Sequence, residues 1–150
     1  MLSFDKEQFL LSASRGANYI PLAKSWPADL ETPLTTWLKV GNDKSLGVLL
    51  ESVEGGETLG RWSIIASDPL WTVTVRGDSI IRQWRDGHCD EFLGNPFQIL
   101  RKMLEPYKSV SLSGLPQLGQ LFGMWGYELI QWIEPKVKIH KISNKDLPDG

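Results

Sequence analysis

The sequence predicts an α+β fold, an antiparallel β-sheet meander with flanking helices. Short runs in which apolar and polar residues alternate fill residues 46–93, and such alternation is typical of half-buried strands. Gly77–Asp78 and Asp86–Gly87 each separate two of these runs by two residues, which is a strong hairpin signal. Helical patterns lie before and after the strands rather than between them, so a parallel βαβ sheet is disfavoured.

The first element is a predicted helix over residues 4–14, with Ser3 as a candidate N-cap and Gly16 near its end. Its packed face would carry Phe4, Leu10 and Leu11. The run Tyr19–Ala23 then indicates a strand.

A second short helix is predicted where Thr32 is followed by Pro33, because a cap residue before a proline at the first helical position is a helix-start signal. It would end at Gly41, with an inner face formed by Leu34, Trp37 and Leu38. The predicted strands then follow as Leu46–Val53, Arg61–Ala66, Trp71–Arg76, Ser79–Arg85 and His88–Leu93.

After the strands, Asn95–Pro96 begins a predicted helix that ends at about Leu104. Gln120–Trp125 indicates one more strand. It would lead into a last helix over Gly126–Ile133, whose buried face would include Tyr127, Ile130 and Ile133.

The chain has seven tryptophans, which is many for 150 residues. Large flat side chains usually fill a core or cover a sheet face, so core packing is favoured over a sugar-binding aromatic platform. The residues to which this prediction applies are Trp37, Trp62, Trp71, Trp84, Trp125 and Trp132. Trp26, beside Pro27 in a connection, is left unassigned.

The composition favours an ordinary soluble cytoplasmic protein. A formal net charge of −2 and a pI near 5.7 provide no basic surface for nucleic acid. The N-terminus lacks the pattern of a secretory signal, and no apolar run is long enough for a membrane span. The single cysteine, Cys89, allows no internal disulfide. Residues 136–150 read as a polar tail that stops at a turn sequence, so we expect the chain to be the N-terminal portion of a longer polypeptide.

Several motifs occur in order from about residue 18 to the end of the chain. The most informative is the run Leu49–Ser52, followed after ten intervening residues by Ser63. The others are Asn18–Leu22, Pro27–Leu34, Gly123–Glu128 and Leu147–Asp149. Together they resemble the N-terminal part of the anthranilate synthase component I family, with Trp62 where a tyrosine is usual and Glu128 where an aspartate is usual.

The resemblance implies that residues 1–150 form the N-terminal domain of a chorismate-using enzyme. The complete enzyme would be a Mg²⁺-dependent lyase that converts chorismate and ammonia to anthranilate and pyruvate and is inhibited by L-tryptophan. A glutamine amidotransferase subunit or fused domain would supply the ammonia. The catalytic and metal-binding residues of the family lie in the later chorismate-binding region. We therefore expect no catalytic residue and no bound cofactor in this part, which should be inactive alone.

The resemblance also implies a tryptophan-binding element, to which we assign Leu50, Glu51, Ser52 and Ser63. Alternate side chains of a strand share a face, so Leu50 and Ser52 would form one wall. Ser63 would bring a second hydroxyl if the two strands pair, and Glu51 could accept from the ammonium group of the ligand. Spacing alone would leave Ser52 an ordinary strand serine, and the resemblance favours binding.

Three other patterns have simpler structural interpretations. Glu51, Glu54 and Glu57 suggest an acidic triad, but Gly55–Gly56 places them across a predicted loop. His88, Cys89 and Asp90 suggest a metal site, but they lack ligands at zinc spacing, and a mixed-charge hairpin with Arg76, Arg82 and Arg85 is favoured. Gly123 and Gly126 are interpreted as packing glycines, since their spacing does not match a dinucleotide fingerprint.

Two rival functions stay open. Aminodeoxychorismate synthase component I of folate biosynthesis is a relative whose N-terminal part can share the Leu49–Ser52 run. A stand-alone aromatic-rich β module that binds sugar or protein is a rival of another class.

Overall fold

A computed structural model describes residues 6–41, 46–51, 62–112, 121–137 and 148–150. Its α-helices are α1 (Lys6–Ser14), α2 (Pro33–Val40) and α3 (Pro96–Leu104), and Tyr127–Trp132 forms a 3₁₀ helix. Its strands are β1 (Gly47–Leu50), β2 (Ile64–Ser67), β3 (Trp71–Arg76), β4 (Ser79–Trp84) and β5 (Cys89–Leu93). Helices together with antiparallel sheets confirm the predicted α+β class.

The chain forms two compact units. One unit comprises Met1–Pro27 and Asn95–Phe122, and the other comprises Ala28–Gly94 and Gly123–Gly150. Within the parts of the chain that the structure describes, no helix is long and apolar enough to cross a bilayer.

Strands β3, β4 and β5 form the predicted meander, in that spatial order. Gly77 at φ +62° turns β3 into β4, and Gly87 at φ +90° turns β4 into β5, both in the left-handed region that glycine favours. Val75 lies directly opposite Ile80, and both side chains are buried. This apolar pair anchors one face of the three-stranded sheet.

Strands β1 and β2 form a separate two-stranded antiparallel sheet. Both are shorter than predicted, with four residues each. The predicted strand positions 52, 53 and 61 lie outside the described residues. Glu51 follows β1 in an irregular conformation, so regular pairing ends at Leu50.

Helix α2 begins with the predicted cap. Thr32 Oγ1 accepts from the Thr35 backbone N–H at 3.1 Å, and Thr35 Oγ1 accepts from the Thr32 N–H at 2.8 Å, which completes a capping box. The predicted inner face is only partly right. Trp37 is half-buried, whereas Leu34 and Leu38 are exposed. The Trp37 indole contacts Gly41 and Gly47, so the helix packs through this side chain rather than through the two leucines.

The predicted packed face of helix α1 is wrong, since none of the helix residues is buried and Leu10 and Leu11 are exposed. Phe4 lies outside the described residues. The helix ends as predicted near Gly16, whose φ of +89° lets the Ala17 N–H reach the Ser12 carbonyl at 3.1 Å.

The predicted strand Tyr19–Ala23 is also wrong as a strand. Among the described residues, Tyr19 forms an isolated parallel bridge with Ser109, in the connection after α3. The amide of Asn18 bonds to this connection, with its Nδ2 donating to the Pro106 carbonyl at 2.6 Å and its Oδ1 accepting from the Lys108 N–H at 2.7 Å. A single bridge does not need the apolar alternation of a sheet strand.

Helix α3 confirms its prediction at both ends. Asn95 Oδ1 caps the backbone N–H groups of Phe97 at 3.0 Å and Gln98 at 3.3 Å, and Pro96 occupies the first turn. Leu100 and Met103 form its buried side in this unit.

Residues 121–125 are irregular rather than the predicted strand, and the last helix is 3₁₀ over Tyr127–Trp132. Its i, i+3 periodicity places Leu129, which is 2% exposed, on the same side as Trp132. Tyr127 and Ile133, at the two ends of this short helix, are 73% and 69% exposed, so their predicted burial is wrong.

The last three residues pair with β3. The Asp149 N–H donates to the Val75 carbonyl at 2.8 Å, and the Val75 N–H donates to the Gly150 carbonyl at 2.6 Å. Asp149 Oδ2 also accepts from the Gly77 N–H at 2.6 Å, and its carbonyl accepts from Gly126. A Cβ on Gly126 would lie 2.9 Å from that carbonyl, which confirms the packing interpretation of this glycine. The same interpretation is wrong for Gly123, where a Cβ would meet nothing within 4 Å among the described residues.

The tryptophans are less buried than predicted. None of the seven is fully buried, and Trp26, Trp62 and Trp125 are exposed. Trp71 and Trp84, directly opposite each other, begin β3 and end β4. Because they lie at the open end of this hairpin, each covers part of a sheet margin rather than a closed core.

Candidate functional site

The candidate site lies at one end of the β1–β2 ladder. Leu50 is paired with Ile64 in the last regular pair, and Glu51 and Ser63 are the residues that adjoin this pair along the two chains. Leu50 is 48% exposed, and both Glu51 and Ser63 are exposed. The pairing therefore brings three of the four predicted residues to one end of one ladder, while Ser52 lies outside the described residues.

The register also assigns a face to Leu50. Directly opposite residues of an antiparallel pair share a face, so Leu50 shares one with Ile64. Glu51 and Ser63 adjoin this pair but lie outside the regular ladder, so the register assigns them no face. The role of all four residues in binding stays a prediction.

The chemistry of this end suits a small zwitterion. A serine hydroxyl donates and accepts hydrogen bonds, and an ionised glutamate accepts them, so Ser63 and Glu51 offer partners for a carboxylate and an ammonium group. The exposed Leu50 side chain supplies apolar surface at the same end of the ladder. Such a mixture of few polar groups with apolar surface is what small-molecule sites use for orientation.

Sequence reasoning missed a tight polar cluster on the β4–β5 hairpin. Asp90 Oδ2 accepts from Arg82 Nε at 2.9 Å, Arg82 Nη2 at 2.7 Å and Trp84 Nε1 at 2.8 Å, while Asp90 Oδ1 lies 3.1 Å from His88 Nε2. The Arg82 guanidinium also lies over the rings of Trp84 and Phe92, at 4.5 and 5.6 Å from their centroids. The alternation of residues 82, 84 and 90, 92 on two paired strands is the signal that could have revealed it.

These contacts determine the ionisation of Asp90. The hydrogen bond from Trp84, followed by those from Arg82 and His88, lowers the pKa of the Asp90 carboxyl to about 2. All of its partners are groups of the same hairpin, so the cluster fastens β4 to β5. The predicted mixed-charge hairpin is confirmed here, with a partly buried ion pair in which two guanidinium nitrogens of Arg82 donate to the same carboxylate oxygen, Oδ2 of Asp90.

No group of three or more histidine, cysteine or acidic side chains comes together to hold a metal in the described part of the chain. Cys89 is exposed, and His88 and Asp90 contact each other. Glu54 and Glu57, the other members of the imagined acidic triad, lie outside the described residues.

An open groove of about 280 Å³ lies at the other end of the β1–β2 ladder. It is lined by Leu46, Asp68, Pro69, Trp71, Thr72, Gln83, Trp84 and Arg85. Arg85 Nη2 donates to the Asp68 carbonyl at 2.6 Å and Arg85 Nε donates to the Pro69 carbonyl at 3.2 Å. Asp68 has a positive φ of 58°, so these bonds hold the sharp turn from β2 to β3.

Comparison with known proteins identifies relatives that share one name. An anthranilate synthase component 1 from Synechocystis sp. is 45% identical over 151 aligned residues, covering all of this chain and 30% of the relative. The one from Acetivibrio thermocellus is 38% identical, and the alignment covers 78% of this chain and 24% of the relative. The one from Pseudomonas putida is 33% identical, and the alignment covers 90% of this chain and 28% of the relative. The chain therefore spans less than a third of these relatives. No protein-family model matches the chain, and no solved structure gives a significant match.

Proposed function

Because the chain belongs to the anthranilate synthase component 1 family, we propose that it is the N-terminal, tryptophan-sensing part of such an enzyme. The observation that carries this proposal is the 45% identity that extends over the whole chain to a single relative of that name. The geometry supports it, since the β1–β2 register brings Leu50, Glu51 and Ser63 to one end of a ladder.

In the proposed complex with L-tryptophan, the ladder end binds the amino-acid group. Glu51 accepts from the ammonium, Ser52 and Ser63 donate to the carboxylate, and Leu50 contributes apolar surface. Binding here inhibits an active site elsewhere in the polypeptide, which makes the coupling allosteric.

We further propose that the complete polypeptide converts chorismate and ammonia to anthranilate and pyruvate in the cytoplasm. An associated or fused glutamine amidotransferase would provide the ammonia. Mg²⁺ would serve this reaction as a Lewis acid. The described residues do not fit a Mg²⁺ site, because they gather no cluster of three potential ligands, so we assign the ion to the part of the relatives that this chain does not cover.

Aminodeoxychorismate synthesis is the weaker alternative. Each relative named above is an anthranilate synthase component 1, which favours anthranilate as the product. Identification of the aromatic amine formed from chorismate and ammonium by the complete polypeptide separates the two.

The sensing role is tested by titrating initial rates with L-tryptophan for the complete polypeptide and for variants. Hydrogen bonds to charged groups contribute roughly 1.5 to 3 kcal/mol, so Ser52→Ala or Ser63→Ala should raise the inhibition constant roughly ten- to a hundredfold. The uninhibited kcat should stay near the wild-type value, since the sensing site is separate from the chemistry.

Ser67→Ala is the matched control, because Ser67 lies in β2 at the opposite end of the same ladder, paired with Gly47. Its inhibition constant should equal that of the wild type. Unchanged inhibition in both Ser52→Ala and Ser63→Ala would remove these hydroxyls from the site. A wild-type enzyme that L-tryptophan does not inhibit would refute the sensing role altogether.

A further inference from the structure

We propose that Trp37 of α2 is a positioning residue for the sensing end of the β1–β2 ladder, and that it acts through the contact of its indole with Gly47. The inference rests on the proposed tryptophan-sensing function and adds a regulatory residue that does not touch the ligand. In this proposal, α2 fixes the position and the register of β1.

The Trp37 indole lies closer to the Gly47 backbone than any side chain at position 47 would permit. A Cβ built on Gly47 would lie 2.5 Å from Cη2 and 2.9 Å from Cζ3 of Trp37. The edge of the six-membered ring therefore rests directly on the first residue of β1. The same ring also lies close to Gly41, where a Cβ would be 3.1 Å from Cδ2, Cε2 and Cε3. The indole thus contacts two glycines, and Trp37 is half-buried.

Helix α2 holds the indole in place from the other direction. The capping box of Thr32 and Thr35 fixes the first turn, and the Gly41 N–H donates to the Trp37 carbonyl at 2.7 Å in the last turn. Lys39 pairs with Glu31, which joins the last turn to the residue before the cap. Contacts at both ends of this short helix fix the backbone that carries Trp37.

The ladder needs such a support, because a two-stranded sheet is marginally stable in water by itself. Each strand has four residues, and α2 contacts β2 directly. Glu51 is four residues beyond Gly47, roughly 13 Å along the strand, so a displacement at Gly47 is passed along a short extended segment to the candidate site. A slip of one residue would also turn the Leu50 side chain to the other face of the ladder.

The test is Gly47→Ala in the complete polypeptide, with kcat and tryptophan inhibition measured separately. The added methyl must push away the Trp37 ring and also meets the Ala66 carbonyl oxygen at 2.9 Å. We expect the inhibition constant to rise about tenfold, with the uninhibited kcat unchanged. Gly123→Ala is the matched control, because a Cβ there meets nothing within 4 Å in the described part of the chain.

Rescue distinguishes a positioning role from general damage. Trp37→Phe shortens the ring, so the double variant Gly47→Ala with Trp37→Phe should recover much of the lost sensitivity, and the two changes should be strongly non-additive. Trp37→Phe alone should also weaken inhibition, which keeps the inference testable if Gly47→Ala does not fold.

The outcomes separate this inference from the proposed function. Normal inhibition of Gly47→Ala and of Trp37→Phe, together with impaired inhibition of Ser63→Ala, would overturn the positioning role and leave the sensing site intact. Equal loss of kcat and inhibition in Gly47→Ala, without rescue, would also overturn it. If Ser52→Ala and Ser63→Ala are inhibited like the wild type, the proposed function itself fails.

Discussion

At the scale of single residues, Asp90 shows how one carboxylate can join two strands. It accepts from Arg82, Trp84 and His88, and the last two of these lie on either side of the β4–β5 turn. The pKa of Asp90 is lowered to about 2, so the carboxylate is ionised over nearly the whole pH range in which the fold is expected to exist. Stability that depends on this ion pair is therefore pH-dependent only in acid.

We predict that Asp90→Asn lowers stability near neutral pH and that its effect disappears in strong acid. The folded pKa of about 2 lies below the reference value of 3.8, so the stabilisation is fully present above that reference and is lost as the pH falls through about 2. The measurement is the urea midpoint of the complete polypeptide, as wild type and as Asp90→Asn, from pH 7 down to pH 2.

Asp78→Asn serves as its control, because Asp78 lies in the turn before β4 and has none of these three contacts. A midpoint difference between wild type and Asp90→Asn that is the same at every pH would contradict the assignment. It would show that the amide disturbs packing rather than charge.

At the scale of elements, short segments are held by backbone contacts that depend on one glycine or one cap. Gly126, before the 3₁₀ helix, donates its N–H to the Asp149 carbonyl, and Asp149 in turn bonds to Val75 and Gly77 of the β3–β4 hairpin. The segment 148–150 therefore bridges the sheet and the 3₁₀ helix within one unit. Asp149 lies so close to Gly126 that a side chain at position 126 would clash with it.

We predict that Gly126→Ala loosens this bridge and destabilises the chain by about 1–3 kcal/mol, as overpacking typically does. The new Cβ would lie 2.9 Å from the Asp149 carbonyl oxygen and 3.3 Å from the Asp149 Cα. Hydrogen exchange at the Val75 and Gly77 amides, which donate to Gly150 and Asp149, should become faster. Gly123→Ala should leave both amides as protected as in the wild type, and equal protection in both variants would disprove the bridge.

At the scale of the whole molecule, buried apolar side chains are few compared with exposed ones among the described residues. In one unit the buried set includes Val75, Ile80 and Leu129, and in the other it includes Leu100, Met103 and Leu112. Large exposed apolar side chains occur in both units, among them Leu10, Leu22, Leu30, Leu34, Met124 and Tyr127. Contiguous apolar surface on an isolated chain promotes association.

We predict that residues 1–150 produced alone self-associate or unfold with low cooperativity. Light scattering after size exclusion should show species above the monomer mass of 16.9 kDa, and thermal unfolding should be broad. Addition of the remaining length found in the relatives should restore a discrete species. A monodisperse monomer with a sharp unfolding transition would contradict the prediction.

Elements whose signals are local could be predicted from the sequence. The cap at Thr32, the cap at Asn95 and the glycines at 77 and 87 each act through one or two neighbouring residues, so the ends of α2 and α3 and the β3–β4–β5 hairpins could be predicted. The family motifs were equally readable, since they depend only on the order of residues.

Features that depend on distant partners could not be predicted. Leu50 lies opposite Ile64 because the register is set between two strands, and no single strand contains that information. Leu34, Tyr127 and Ile133 are exposed because burial depends on what lies opposite a helix, not on its own periodicity. The Asp90 cluster and the contact of Trp37 with Gly47 could not be predicted either, because each joins residues that only folding brings together.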